Sequence, residues 1–236
     1  MQSKWKKIIA VLMIAVFVLS GCGSIGEKKN SANGTVHLTF GHGQAEGHPY
    51  HKAALYFKEQ VENKTNGRVI VDIQPNGNLG DEREMTEGLQ LGTIDITVAV
   101  AATLSGFDSD MDVFNFPYLF DTREQAFQVL DSETGKEIFD GMKEQGIEIY
   151  GTFDLGFRSM TNSKHPIKTP EDAKGIRMRT LESSVCVDSL GELGIDAVSM
   201  SFGELFTALL VRWMDRKIHC SLFIIQDFMK FRSISL

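Results

Sequence analysis

The sequence predicts an α/β protein, and three observations carry that prediction. Strand-like and helix-like segments alternate from Val36 to Thr152, the pattern of a largely parallel sheet with helices on both faces. From about Asp154 the elements become shorter, which predicts a second lobe. The length beyond the first 34 residues suits one or two such domains.

The elements follow in order. Val36 to Phe40 alternates apolar and polar residues and reads as a first strand. Gly41 to Gly47 is a loop, and Pro49 suits the first turn of a helix that runs to about Thr65. Ala53, Tyr56, Phe57 and Val61 would give that helix its apolar stripe. Val69 to Ile73 reads as a strand, Pro75 to Asn78 as a turn, and Asp81 to Leu91 as a helix. Asp81 and Glu82 then stand at its positive end. Ile94 to Val100 has the character of a buried strand, and Pro117 interrupts the apolar run Phe114 to Phe120. Helices over Arg123 to Leu130 and Thr134 to Gln145 lead to a strand over Ile147 to Thr152.

The second lobe is read from smaller pieces. A short element covers Arg158 to Thr161, and a turn surrounds Pro166. A short helix follows at Pro170 to Ala173, then a strand over Ile176 to Thr180. Next come a helix over Ser183 to Leu193, a strand at Asp196 to Val198, and a helix over Phe202 to Leu210 opened by Ser201.

The front end reads as a secretory signal. Lys4, Lys6 and Lys7 precede an apolar run from Ile8 to Leu19, shorter than the about 20 residues a bilayer span needs. Leu19-Ser20-Gly21-Cys22 fits the bacterial lipobox, in which the cysteine is lipidated and becomes the new N-terminus. The polar stretch from Gly23 to Gly34 would be a flexible tether. The expected organisation is a signal at 1–21, a tether at 22–34, a first α/β lobe at 35–153 and a partial second lobe at 154–210. Residues 211–236 form an aberrant tail. This places the mature chain outside the cytoplasm, lipid-anchored on the extracytoplasmic face of a bacterial membrane, in the periplasm or at the cell surface.

Charge and cysteine content exclude several classes. Losing Lys4, Lys6 and Lys7 with the signal takes the formal charge from −7 to −10, which argues against nucleic acid or an anionic membrane as partner. Of the three cysteines, Cys22 is assigned to lipidation, and Cys186 and Cys220 alone do not make a disulfide framework.

Few residues signal chemistry. Gly41-His42-Gly43 lacks the spacing of a dinucleotide fingerprint or a P-loop, and no serine stands in a nucleophile elbow. No cofactor is expected. His42, His48 and His51 with Glu46 suggest a zinc site, but the spacing is not a metal motif and His48 before Pro49 reads as a helix-entry residue. No metal is therefore expected. His42, at the carboxyl end of the first strand, stands where α/β clefts open to ligands. Arg177 and Arg179 lie two apart on a strand and share a face, while Ile176 and Met178 take the other. Periodicity does not choose between the two arginines. Arg158 joins them as a candidate for holding an anion, because a guanidinium pairs with a carboxylate through two parallel hydrogen bonds.

Five segments occur together: HPYHKAALYFKEQVENKTNGRV, PNGNLGDEREMTEGLQLGTIDI, FPYLFD, RSMTNSKHPIKTPEDAKGIRMR and SMSFGELFTAL. In these segments and their order, Val36 to Leu210 resembles the substrate-binding proteins of tripartite ATP-independent periplasmic (TRAP) transporters, dicarboxylate-binding type. The resemblance implies a two-lobed, type II periplasmic-binding-protein-like fold, incomplete here at the C-terminus. It implies a receptor, not an enzyme, that closes around a small organic acid and delivers it to the membrane subunits of the transporter. Arg179, ending GIRMR, would clamp the substrate carboxylate, with Arg158 as a second arginine and Phe202 packing on the substrate. Glu82 and the loop after Phe40, with His42, would meet the rest of the ligand. Val100 replaces an acidic residue of sialic-acid binders, which favours a C4-dicarboxylate or a sugar acid. Two other readings are an extracytoplasmic ligand sensor for a signalling kinase and a secreted metal-dependent hydrolase.

After Leu210 the pattern changes. Joining the third base of each codon from Arg212 onward to the first two of the next permits VDGQENPLFTIYNSRFYEVQKYLS, which resembles the family's continuation. Trp213, Met214 and Asp215 force its Asp-Gly, and Met229 with Lys230 forces its Glu. A frameshift just before Val211 is therefore expected, making this copy a defective fragment with apolar surface left exposed.

Overall fold

In the computed structural model, the described residues are 34–162, 164–210 and 218–220. The expected signal, Cys22, most of the tether and nearly all of the tail lie outside them. The described residues from His37 onward fall into one compact unit, and the described strands form two three-stranded sheets.

The first sheet has the order β2-β1-β3, with β1 Val36–Gly41, β2 Val69–Gln74 and β3 Ile96–Thr97. β1 and β3 are parallel, with Phe40 opposite Ile96. Helix α1 (Pro49–Lys64) covers this sheet, and Phe40, Ala54 and Val71 form the buried centre with Phe57 and Val61 packed on them. Ala53, Phe57 and Val61 of the expected apolar stripe face the core, and Tyr56 does not. Tyr56 is 52% exposed, and Tyr50 and Ala54 complete the buried face with Ala53. Helix α2 (Glu82–Leu91) is capped by Asp81, whose carboxylate accepts from Glu84 N–H while the Glu84 side chain accepts from Asp81 N–H. Gly92, in the left-handed region at φ 69°, ends it.

The strand expected over Ile94–Val100 shortens to Ile96–Thr97, because Val100 turns out of the ladder to open helix α3 (Ala101–Leu104). A 3-10 segment at Ser109–Asn115 and helices α4 (Arg123–Leu130) and α5 (Glu133–Gly141) follow. They bury Met111, Met142 and Ile147 against Leu89, Leu104 and Phe139. Neither Ile147–Thr152 nor Arg158–Thr161 forms a regular element. A strand needs a neighbour to bond to, and among the described residues none pairs with either segment. Between the two segments, Asp154 accepts from Arg123 of α4.

The second sheet has the order β5-β4-β6, all parallel: β4 Arg177–Thr180, β5 Asp196–Ser199 and β6 Ile218–Cys220. β6 is an element the sequence reading did not expect in the tail. Helix α6 (Pro170–Ala173) precedes β4, and α7 (Ser184–Glu192) returns the chain to β5. Ala173, Ile176, Met178 and Ile195 form the buried centre beneath Leu190 and Leu193. Helix α8 (Phe202–Leu210) begins at a reciprocal pair: Glu204 N–H donates to Ser201 Oγ, and Ser201 N–H to Glu204 Oε2. Ser183, the cap of α7, donates from its hydroxyl to Asp112 Oδ1 in the 3-10 segment at 2.5 Å.

Candidate ligand-binding site

Strand β4 separates the two arginines that periodicity left equivalent. Arg177 pairs with Asp196, the residue opposite it on β5, at 3.3 Å and near solvent. Arg179, nearer the carboxyl end, is only 2% exposed. Its Nε and Nη2 both donate to the Met200 carbonyl, at 2.9 and 2.6 Å, which fixes the plane of the guanidinium. A buried, oriented guanidinium is suited to a planar anion.

Glu82 is the first residue of α2, so its position follows from the Asp81 cap. Its Oε2 accepts from Val100 N–H at 3.0 Å and from Thr103 Oγ1 at 3.4 Å. Burial pushes the Glu82 carboxyl above its ordinary 4.5, while those two hydrogen bonds and the Arg179 charge pull it down. Arg179 also acts on Glu182, whose carboxyl is raised by burial and then by Asp81. Arg158 places Nη1 3.7 Å from Cys186 Sγ in the first turn of α7. Cys186 is a buried free thiol.

Tyr50 links these groups, and the sequence reading missed it. It lies in the first turn of α1, is buried, and packs its ring at 5.9 Å from Phe153. Burial and then the Glu82 charge push its phenol well above its ordinary value, and Arg158 opposes them. Its place on the buried face of α1, beside His48-Pro49, was the available signal. The structure therefore brings Glu82, Arg158 and Arg179 into one electrostatic neighbourhood with Tyr50. Phe202, 49% exposed, follows the Met200–Ser201 step that holds Arg179.

His42 pairs with a second histidine. It is fully buried, and its Nε2 lies 3.1 Å from His51 Nδ1. His48 caps α1, with Nδ1 accepting from Tyr50 N–H at 3.1 Å, which is why a histidine precedes Pro49. Among the described residues, no group of three or more His, Cys, Asp or Glu is placed to hold a metal ion. Burial, then His51 and His48, hold the His42 ring below its ordinary 6.5, with the Gln44 backbone opposing; burial alone lowers His48.

These shifts have opposite signs in stability. A raised carboxyl keeps a proton in the native state that the unfolded chain has released. Its contribution is therefore full below pH 4.5 and is lost as pH rises. A lowered imidazole refuses a proton that the unfolded ring binds, so stability is lost as pH falls below 6.5. Relative to the parent chain, Glu82→Gln should gain stability between pH 4.5 and 7, and His42→Gln should gain it from pH 7 to 5. Urea unfolding at these pH values checks both. Differences that do not change with pH would contradict the burial of these groups.

Residues 40–226 match the model of the bacterial extracellular solute-binding proteins, family 7. The chain belongs to that family. It is a family of solute-binding proteins, not of enzymes. The chain is 29% identical over 182 residues to the 2,3-diketo-L-gulonate-binding periplasmic protein YiaO of Escherichia coli, covering 77% of this chain and 56% of that one. Among solved structures, it is similar to the sugar acid binding protein DctPAm of Advenella mimigardefordensis in complex with galactonate. The TM-score there is 0.74 at 32% identity, over 79% of this chain and 59% of the other. A TRAP periplasmic solute binding protein of Polaromonas sp. JS666 bound to D-erythronate gives a TM-score of 0.73 at 33% identity, over 78% and 60%. The chain thus spans less than two thirds of the length of these relatives. The expected α/β fold is that of the TRAP periplasmic solute-binding proteins.

Proposed function

We propose that this chain captures a small organic acid, a C4-dicarboxylate or sugar acid, through an arginine–carboxylate clamp and serves a TRAP-type secondary transporter. The observation that carries the reading is Arg179, buried at the carboxyl end of β4 with its plane fixed by Met200. A carboxylate would meet the Nη1–Nη2 edge, because the Nε–Nη2 edge faces that carbonyl. Arg158 adds a second positive charge, Phe202 an apolar wall, and Glu82 and His42 the polar groups for the rest of the ligand. The lobes would be 35–153 and 154–210. Closing them excludes water, so binding and closure are coupled. The bound organic acids of the two solved relatives support this substrate class.

The same reading lipidates Cys22, anchors the chain on the extracytoplasmic face and hands the acid to membrane subunits. It also takes residues 211–236 as out of frame and this copy as a defective fragment. The exposed Phe116, Tyr118 and Phe157 support that part. Codons incompatible with the recovered string would reject it. The arginines precede Val211, so acid binding is testable on the chain itself.

A thermal-shift screen of organic acids at millimolar concentration tests the function. Ligand at 100 times its Kd adds about 2.7 kcal/mol, which for a chain of this size raises Tm by roughly 5–10 °C. Stabilisation by sugar acids is expected. A flat response across organic acids would overturn the proposal.

A further inference from the structure

We propose that Asp112 is a positioning residue for Arg158, acting through Ser183 and the first turn of α7. The inference rests on the organic-acid reading above and extends it to a residue outside the candidate site. Three contacts form an unbroken chain from the 3-10 segment to the guanidinium. Ser183 Oγ donates to Asp112 Oδ1 at 2.5 Å, and Cys186 N–H donates to Ser183 Oγ at 3.2 Å. Arg158 Nη1 then lies 3.7 Å from Cys186 Sγ. Asp112 and Ser183 are 71 residues apart, so the chain aligns segments that no local structure joins.

The order of protons along the chain is fixed by its members. A carboxylate only accepts and a backbone N–H only donates, so the single Ser183 hydroxyl proton points to Asp112 while a lone pair takes the Cys186 amide. A hydrogen bond to a charged acceptor is about twice as strong as a neutral one, and the negative charge also faces the positive end of α7. Asp112 is itself held. Asn115 Nδ2 donates to the same Oδ1 at 3.0 Å, and the preceding Met111 is buried in the core with Met142 and Ile147. Ser184 Oγ adds a longer contact to Oδ2 at 3.4 Å. Ser183 is 5% exposed, so a hydroxyl deprived of Asp112 finds little water to replace it. The carboxylate thus sets where α7 begins, and the start of α7 carries the sulfur against which Arg158 lies. A binding group is placed only as precisely as the bonds behind it.

Titration calorimetry of the full chain with D-galactonate, with Tm measured on every variant, tests this. Asp112→Ala and Ser183→Ala should each weaken binding at least about tenfold. Asp112→Asn keeps an acceptor oxygen for the Ser183 hydroxyl and should bind within about threefold of the parent. In an Arg158→Lys background the fork that Asp112 places is already gone, so adding Asp112→Ala should change affinity less than about twofold. Ser132→Ala removes the cap of α5 and no part of the chain. It should lower Tm and leave affinity within about twofold, which separates lost stability from lost positioning. Parent-like affinity in Asp112→Ala, or in Ser183→Ala where Asp112→Ala does not fold, would overturn the inference. So would an undiminished Asp112→Ala effect in the Arg158→Lys background, the result of a direct contact with the ligand or of a purely structural role. Failure of the parent to bind galactonate or any other organic acid would overturn the organic-acid reading itself, and this inference with it.

Discussion

Replacing Arg179 by lysine should weaken organic-acid binding by at least about 100-fold, although the positive charge is kept. Arg179 must do two things in one plane. Its Nε and Nη2 hold the Met200 carbonyl, and the far edge of the same fork meets the ligand. A lysine ammonium is a single point and lacks the geometry for both. Each charge-assisted hydrogen bond contributes about 1.5–3 kcal/mol, and about 1.4 kcal/mol is a factor of ten. Losing one or two of them gives the expected factor. Arg179→Ala should cost more, because it also leaves the Met200 carbonyl without its donor. Arg177→Lys is the control: it keeps an exposed pair with Asp196 and should change affinity less than about twofold. Unchanged affinity for Arg179→Lys would sink the clamp.

Gly135→Ala should be the most damaging small change to stability. Gly135 lies in the first turn of α5, where its N–H donates to the Ser132 hydroxyl. A methyl group there would collide with the Val129 carbonyl oxygen and stand 2.7 Å from that of Leu130, both at the end of α4. These are backbone atoms, so they move only if the helices part. Helix propensity favours alanine over glycine by about 1 kcal/mol. Overpacking of this kind costs roughly 1–3 kcal/mol and occasionally more, and this contact lies well inside any normal separation. A net loss is therefore expected, visible as a fall in Tm of roughly 2–4 °C per kcal/mol. A stabilised Gly135→Ala variant would show that α4 and α5 do not approach so closely.

Local signals were the legible ones. Asp81, Ser183 and Ser201 announced helix starts because capping is a property of a few consecutive residues. Helices α2, α7 and α8 accordingly stand where the sequence placed them. Strands depend on distant partners, and there the reading slipped. Ile147–Thr152 has strand character, but no described strand lies beside it. Val100 leaves its strand to open α3 and to give its N–H to Glu82, a contact 18 residues away.

The site was legible in the same uneven way. Alternation put Arg177 and Arg179 on one face, but which is buried depends on Asp196 and Met200 from the neighbouring strand. Resemblance pointed to Arg179, Arg158 and Glu82, and the fold gathers them. Tyr50 was missed because the expected stripe of α1 was read only from Ala53 onward, although Tyr50 lies on the same face in the first turn. His42 was placed at a strand end, yet its partner His51 comes from the next helix.

The central claim is that the site recognises a carboxylate. Calorimetric titration of the full chain with D-galactonate and with galactitol, the matched polyol that lacks the acid, tests it most directly. Saturable binding of galactonate with no detectable heat from galactitol is the predicted result. Equal binding of the two, or binding of the polyol alone, would contradict it.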